Sequence, residues 1–448
     1  MKTNRIKQLF CILFFLLCLV PLAVFLIAGP AEAGANERLP AKPRLMSGGA
    51  PNWDVLSDAA DYYAGRFGLR QELITANAAV QATILHESAA SDVLLGTDGW
   101  LYYAETLPDY TGSSPMTERQ LWCAAHNLAL MREYAADFDV QLLFVCAPNK
   151  NTIYPQHMPA RYARSSAPSD LDRLEAELTR QSVDFCDVRQ TLAGTAQETY
   201  YHTDSHWNGY GSALAHDAIL RALGRDASLA DEAFTAQPHS GDLYQMLYPA
   251  SSRTEDALSL ARERHFEYEG DIRGADDQLI HTFCPAEGAL LMFRDSFGNA
   301  LHADLAEDFG EALFSRAMPY DFSLLLRVLP DVIIVELAER NLSWLCTRPP
   351  LLPAPERMPE SVQTPELSGA AAQVTRQDSD WEGLVRYDGT FSGVCPDDDS
   401  PVLALLNGVC YEACPTDTGF RLIAPDAAQL TVQFRVDGTL YSVLCTFS

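Results

Sequence analysis

Two short stretches hold the residue types that acyl transfer requires. Tyr200 to Gly211 reads YYHTDSHWNGYG, with Asp204 and His206 two residues apart and Trp207 next. Leu290 to Ala300 reads LLMFRDSFGNA, with Ser296 just beyond an apolar run, Ala289 to Phe293. A hydroxyl, an imidazole and a carboxylate supply a nucleophile, a base and the group that orients the base. Asp-x-His spacing lets the carboxylate fix the imidazole tautomer. Other uses compete. A serine at a turn into a helix is commonly an N-cap. On an extended segment His202, Asp204 and His206 share one face, which is a ligand set for Zn or Fe. A polar loop around an Asn208-Gly209 turn is the plainest reading. The triad is preferred, with His206 as base, Asp204 as its partner, Ser296 as nucleophile, and neither metal nor cofactor.

These residues need a rigid frame, and the flanking pattern predicts one. Ala289 to Phe293 reads as a buried strand, and the glycine at 298 followed by an amphipathic NALHADLAEDF reads as a turn entering a helix. A serine there sits at the carboxyl end of a strand, where open α/β sheets bind ligands. Its backbone N–H suits an oxyanion. Buried strands are expected at 141–148, 183–188, 289–293 and 331–338. Helices are expected from the Thr117/Gln120 capping box, from Ser169, and from Gly209 to Leu223, where Gly224 ends the helix. A helical pattern also covers Asp58 to Leu85, with Ser57 as N-cap. Strand and helix in alternation imply right-handed βαβ units and a mainly parallel sheet. The same frame puts Asn149, Arg316 and Tyr320 at strand ends. They are expected at the substrate rim or the oxyanion site, and Trp207 beneath the imidazole or against a sugar face. The stretch 225–285 is polar and reads as an insertion edging the cleft.

The sequence resembles the alginate O-acetyltransferase-like branch of the SGNH hydrolase superfamily, also called the Asp-His-His-Trp family. The matching pieces are RFGLRQELI (66–74), LLGTDGWLYY (94–103), CAPNKNTIYP (146–155), TDSHW (203–207), RDSFGNAL (294–301) and PDVIIVELAERNL (330–342). They follow the family's order over residues 60–342. One departure is Ser205, where the motif's name places a first histidine. The resemblance implies an SGNH-like fold, Ser296 as nucleophile, and Asp204 and His206 as carboxylate and base. It further implies an extracytoplasmic O-acetyltransferase acting on a cell-surface or secreted polysaccharide through an acetyl-serine intermediate. A membrane-bound acyltransferase would be the partner that supplies acetyl. Two alternatives stay open: a carbohydrate acetylesterase with the same triad, and a non-catalytic polysaccharide-binding assembly factor.

The 448 residues suit two or three domains, and 48% are hydrophobic. A net charge of −28 opposes binding to nucleic acid, whose phosphates need lysine and arginine. Lys2, Arg5 and Lys7 precede an apolar run, Leu9 to Ala28, long enough to cross a bilayer with the N-terminus in the cytoplasm. Ala31 to Ala33 resembles a signal-peptidase site, so cleavage competes with retention as an anchor, and the anchor is preferred. Residues 1–33 are therefore an anchor or signal, 34–56 a tether and 57–345 the SGNH-like domain. A Pro-rich linker, 346–370, leads to a small antiparallel β-module, 371–448. Cys395, Cys410, Cys414 and Cys445 read either as two disulfides or as reduced core thiols.

Overall fold

The computed structural model describes residues 2–32, 39–359, 365–367 and 369–447. The proposed cleavage site at Ala33, part of the tether and part of the Pro-rich stretch lie outside them. Seven helices organise the first three quarters of the chain: α1 (Lys2–Ala28), α2 (Val55–Arg66), α3 (Arg70–Val80), α4 (Glu118–Ala136), α5 (Asp170–Arg180), α6 (Gly209–Ala222) and α7 (Gly298–Asp308). The central sheet is built from β1 (Gln141–Ala147), β2 (Phe185–Asp187), β3 (Glu267–Tyr268), β4 (Leu279–Phe283), β5 (Ala289–Phe293), β6 (Glu311–Ser315) and β7 (Val332–Ala338).

Its order is β2-β1-β7-β5-β6-β4-β3. The five strands from β2 to β6 are mutually parallel, and β4 and β3 add an antiparallel edge. Side chains alternate across the pleat. Leu142, Phe144 and Cys146 therefore join α4 and α5 in one core, with Phe293 and Val335. Leu143, Val145 and Ala147 join α6 and α7 in the other, with Met292, Phe314 and Ile334. A run apolar at every position is what a sheet covered on both faces needs. The expected Thr117/Gln120 capping box opens α4, and the helix expected from Ser169 begins there as α5, with a further capping box between Ser169 and Asp172.

The helical pattern from Asp58 to Leu85 is two helices rather than one. The chain leaves α2 at Phe67, which is extended, and Leu69 is left-handed at φ 60°. Gly68 between them lies against α1, its N–H on Pro21 O at 3.2 Å. Asp54, not Ser57, occupies the N-cap position of α2.

The insertion at 225–285 is ordered. It holds the hairpin Phe234–His239 with Glu255–Leu260, a short helix Asp242–Leu247, and both strands of the antiparallel edge.

Beyond residue 370, β8 (Ala371–Asp378), β9 (Leu384–Ser392), β10 (Val402–Leu406), β11 (Val409–Pro415), β12 (Gly419–Pro425), β13 (Thr431–Val436) and β14 (Thr439–Phe447) pair in the order β11-β10-β13-β14-β8-β9-β12. A further β11–β12 pairing closes the ring into a seven-stranded barrel. It is antiparallel except for β8 with β14.

The barrel rests on α4. Arg119 donates to the carbonyls of Asp397, Asp398 and Ser400, Asn127 donates to Pro415 O, and Arg357 bridges Glu133 and Glu412. All eleven cysteines are unpaired, with Cys410, Cys414 and Cys445 buried in the barrel region and Cys395 exposed.

Candidate active site

The site assembles at the carboxyl ends of β5, β7 and β1, on the side where parallel strands present ligands. Ser296 follows β5 on a turn held by its neighbours. Asp295 N–H donates to Glu336 Oε2 at 3.0 Å, and Glu336 stands fully buried on β7. Asp295 in turn accepts from Phe297 N–H at 2.9 Å and from Ala338 N–H at 2.9 Å. Gly298 is required beside this clamp, because a Cβ there would stand 2.6 Å from Arg294 Cβ and 2.8 Å from Glu336 Oε2. Burial, then the charge of Asp295, push the Glu336 carboxyl well above the usual carboxylate range. The nucleophile turn thus rests on a carboxyl whose burial favours the neutral form.

His206 Nε2 lies 2.8 Å from Ser296 Oγ, and His206 Nδ1 lies 2.7 Å from Asp204 Oδ1. Ser296 makes no side-chain cap; the N-cap of α7 is Phe297. Its hydroxyl is engaged with the imidazole instead. The Ser296 N–H has no partner among the described residues. Burial would raise Asp204, but hydrogen bonds from His206 and His239 hold it well below the usual carboxylate range. Burial would lower His206, but Asp204 outweighs it and the imidazole is more basic than usual.

Several groups at this site carried no signal in their spacing. His239 Nε2 lies 2.9 Å from Asp204 Oδ2, and the Asp242 N–H donates to the same oxygen at 3.1 Å. Both come from the insertion. Ser205, at the departing motif position, donates to Asp242 through its N–H at 2.8 Å and its Oγ at 2.6 Å.

Lys150 is buried under the loop and donates from Nζ to the carbonyls of Tyr201, His202 and Asp204 at 3.0, 3.0 and 2.7 Å. Three acceptors call for all three N–H groups of the ammonium. Burial nevertheless pushes its pKa down to about 7. Arg340 lies 5.4 Å over the Phe297 ring and 5.5 Å over Tyr103, and makes no hydrogen bond or ion pair among the described residues.

The remaining rim candidates are otherwise engaged. Trp207 is 1% exposed, donates from Nε1 to Phe297 O, and packs edge-on against the Phe297 ring, so it supports the turn and offers no face to a sugar. Tyr320 is buried near Asp295 and Glu336 rather than at the rim. The Asn149 side chain donates to Asp109, and its backbone N–H to Glu339. Arg316 is paired with Asp276 at 2.6 Å.

The extended His202/Asp204/His206 face does not form, because residues 202–206 turn. His202 stacks on Trp100 at 4.4 Å and meets Glu198 at 2.8 Å. Atoms of Asp204, His206 and Asp242 do lie within 4.8 Å of one another. His206 Nδ1 and Asp204 Oδ1 face each other directly, which is hydrogen-bond geometry.

A testable consequence concerns Lys150. Lys150→Met leaves the Tyr201 and Asp204 carbonyls without a donor, each costing about 1–3 kcal/mol, while His202 O keeps the Leu101 N–H. It should lower stability in urea titrations and loosen the loop carrying Asp204 and His206. Displacement of about 1 Å at a catalytic group costs ~10²-fold in rate. Esterase turnover should fall by that order under conditions where the variant is still fully folded. Unchanged turnover would mean the loop holds its shape without the ammonium.

A three-layer α/β domain with serine, imidazole and carboxylate in line at strand ends defines an SGNH-hydrolase-like protein. Residues 93–313 match the family model described as SGNH hydrolase-like domain, acetyltransferase AlgX. The domain is similar to the alginate O-acetyltransferase-like branch of that superfamily, a likeness that supports an enzyme of the SGNH O-acyltransferase/esterase type. A curated relative, the probable alginate O-acetylase AlgJ of Pseudomonas putida, is 24% identical over 318 residues, covering 65% of this chain and 80% of its own. Among solved structures, the O-acetyltransferase domain of Pseudomonas putida AlgJ is 20% identical with a TM-score of 0.38, covering 56% of this chain and 92% of its own. Bacillus cereus PatB1 with a sulfonyl adduct is 15% identical with a TM-score of 0.44, covering 56% and 95%.

Proposed function

We propose that the protein transfers acetyl groups to a cell-surface or secreted polysaccharide through a Ser296–His206–Asp204 triad. The observation that carries this reading is the continuous relay of 2.8 and 2.7 Å from hydroxyl to imidazole to carboxylate. His206 takes the Ser296 proton as Oγ attacks the acetyl carbonyl, and the tetrahedral oxyanion meets the free Ser296 N–H. The unpaired Arg340 guanidinium is the second donor we assign. The leaving group departs with the proton from His206, leaving acetyl-Ser296. A glycan hydroxyl then gives its proton to His206 and attacks the acetyl carbon, and Ser296 Oγ departs and regains the proton.

The apolar run 5–28 and the relatives' alginate acetylation support an anchored, outward-facing enzyme. On this reading residues 57–345 carry the chemistry, and the barrel is a separate β-module. A membrane-bound acyltransferase supplies acetyl.

The test is turnover of a chromogenic acetyl ester with and without acceptor oligosaccharide. Release of chromophore with acetyl recovered on the oligosaccharide supports transfer. Acetate alone, in the presence of every acceptor, makes the protein an acetylesterase. No turnover leaves only a scaffold role. Activity should survive dialysis against a strong chelator; loss restored by Zn would replace the triad with a metal at Asp204, His206 and Asp242.

A further inference from the structure

The outer end of α1 is packed against protein. Pro21 is buried there, and Val24 and Phe25 on the same stripe are half-buried. Phe25 meets the rings of Tyr62 and Tyr63 edge-on at 6.3 and 5.2 Å. Gly68 N–H reaches Pro21 O at 3.2 Å, and a Cβ at 68 would strike Val24 Cβ at 2.5 Å. Arg66 donates to Ala31 O, and Ala31 N–H to Arg66 O. The apolar span Arg5–Ala28 has 24 residues, roughly 36 Å at 1.5 Å each, against a hydrocarbon core of about 30 Å. Tyr62, Tyr63 and the loop 67–69 therefore sit at the outer interface, the level that Tyr and Trp favour.

Leu56 lies seven residues before Tyr63 on α2. Two helical turns return a side chain to within about 20° of the same face. Leu56 therefore lies on the face that meets α1 through Tyr63, about 10 Å along α2, and is 82% exposed. Trp53, on the turn into α2, is 89% exposed, and Leu45 and Met46 are exposed as well. The turn is fixed: Asn52 Nδ2 bridges Arg44 O at 3.0 Å and Asp58 Oδ2 at 2.8 Å. Exposed apolar side chains on the segment that packs against a membrane span have lipid as the neighbour that would cover them.

We propose that Trp53, Leu56, Leu45 and Met46 form a collar that inserts into the interfacial layer of the outer leaflet and seats the globular part on the bilayer. The proposal rests on α1 being a retained anchor. It goes beyond tethering, since an anchor followed by a loose tether would leave these residues in water.

The full chain is reconstituted into phosphatidylethanolamine–phosphatidylglycerol vesicles, with and without dibrominated acyl chains, and tryptophan fluorescence is read. Bromine quenching is expected to be confined to one of the six tryptophans, to vanish in Trp53→Phe, and to fall in Leu56→Glu. Intact mass of the reconstituted protein is measured in parallel. If residues 1–33 are missing, anchor and collar both fail. If α1 is retained and wild type and Trp53→Phe quench alike, the anchor stands and the collar fails. The collar fails equally if a second copy or another protein shields Trp53 from quenching.

Discussion

Ser296→Ala leaves no acetyl mark on the protein. Wild-type enzyme incubated with an acetyl ester and quenched in acid should carry one added acetyl, mapped by peptide mass spectrometry to Ser296. The alanine variant should carry none and should lose turnover on the order of 10⁶-fold, as removal of a serine nucleophile does when triad members act as a unit. The substitution is structurally mild. Ser296 Oγ serves neither as a helix cap nor in the Asp295–Glu336 clamp that shapes the turn. Thermal unfolding should therefore be little changed, and loss of activity can be assigned to chemistry. Near-normal turnover, or an acetyl mark on another serine, would remove the central claim.

What could be read in the sequence was what is encoded locally. The apolar runs at 141–147, 289–293 and 332–338 predict strands because a sheet covered on both faces buries every side chain. The capping box at Thr117 and the serine at 169 mark helix starts from local sequence alone. Asp204 and His206 are close in sequence, and their hydrogen bond forms within one bend. The missed groups reach the site through tertiary folding. Glu336 sits in a run that otherwise reads as core, and only the pairing of β5 beside β7 brings its carboxyl under Asp295. His239 and Asp242 belong to a polar stretch without periodicity, and 35 and 38 residues separate them from the carboxylate they bind.

Lys150 lies in the stretch CAPNKNTIYP, but its three carbonyl partners exist only once the 201–206 loop has turned. That turn is also why the alternating-face argument for His202 failed: alternation holds for extended chain, and this segment bends. Trp207 and Tyr320 share one lesson. A large aromatic beside a motif is visible in sequence, whereas its direction is set by packing, here inward against Phe297 and Phe293.

Asp204→Asn should cost up to roughly 10⁴-fold in turnover, the loss seen when a serine-protease carboxylate is made an amide. The hydrogen bonds give the reason. Asp204 Oδ1 accepts from His206 N–H and faces Nδ1, while Oδ2 accepts from Asp242 N–H and faces His239 Nε2. All four contacts want an acceptor, and an amide offers only one oxygen. If the Asn oxygen faces Asp242 and His239, its NH2 meets His206 Nδ1 and forces the proton onto Nε2. Nε2 then no longer accepts the Ser296 proton. If the oxygen faces His206, the NH2 opposes the Asp242 N–H, leaving two donors face to face.

A pH profile separates this account from simple disruption. His206 in the native enzyme is more basic than usual, so the rate should rise with pH through a midpoint above 6.5, as the neutral imidazole forms. The sign for stability is opposite. A raised histidine pKa contributes stability in full below about 6.5 and loses it as pH climbs through the folded value. The depressed Asp204 contributes above its ordinary value of 3.8 and loses that as pH falls. In Asp204→Asn the carboxylate that raised His206 is gone while its burial remains, so the residual rate should rise at lower pH than in wild type. A variant that keeps the wild-type midpoint, or loses only a few-fold in rate, would show that Asp204 does not govern this imidazole.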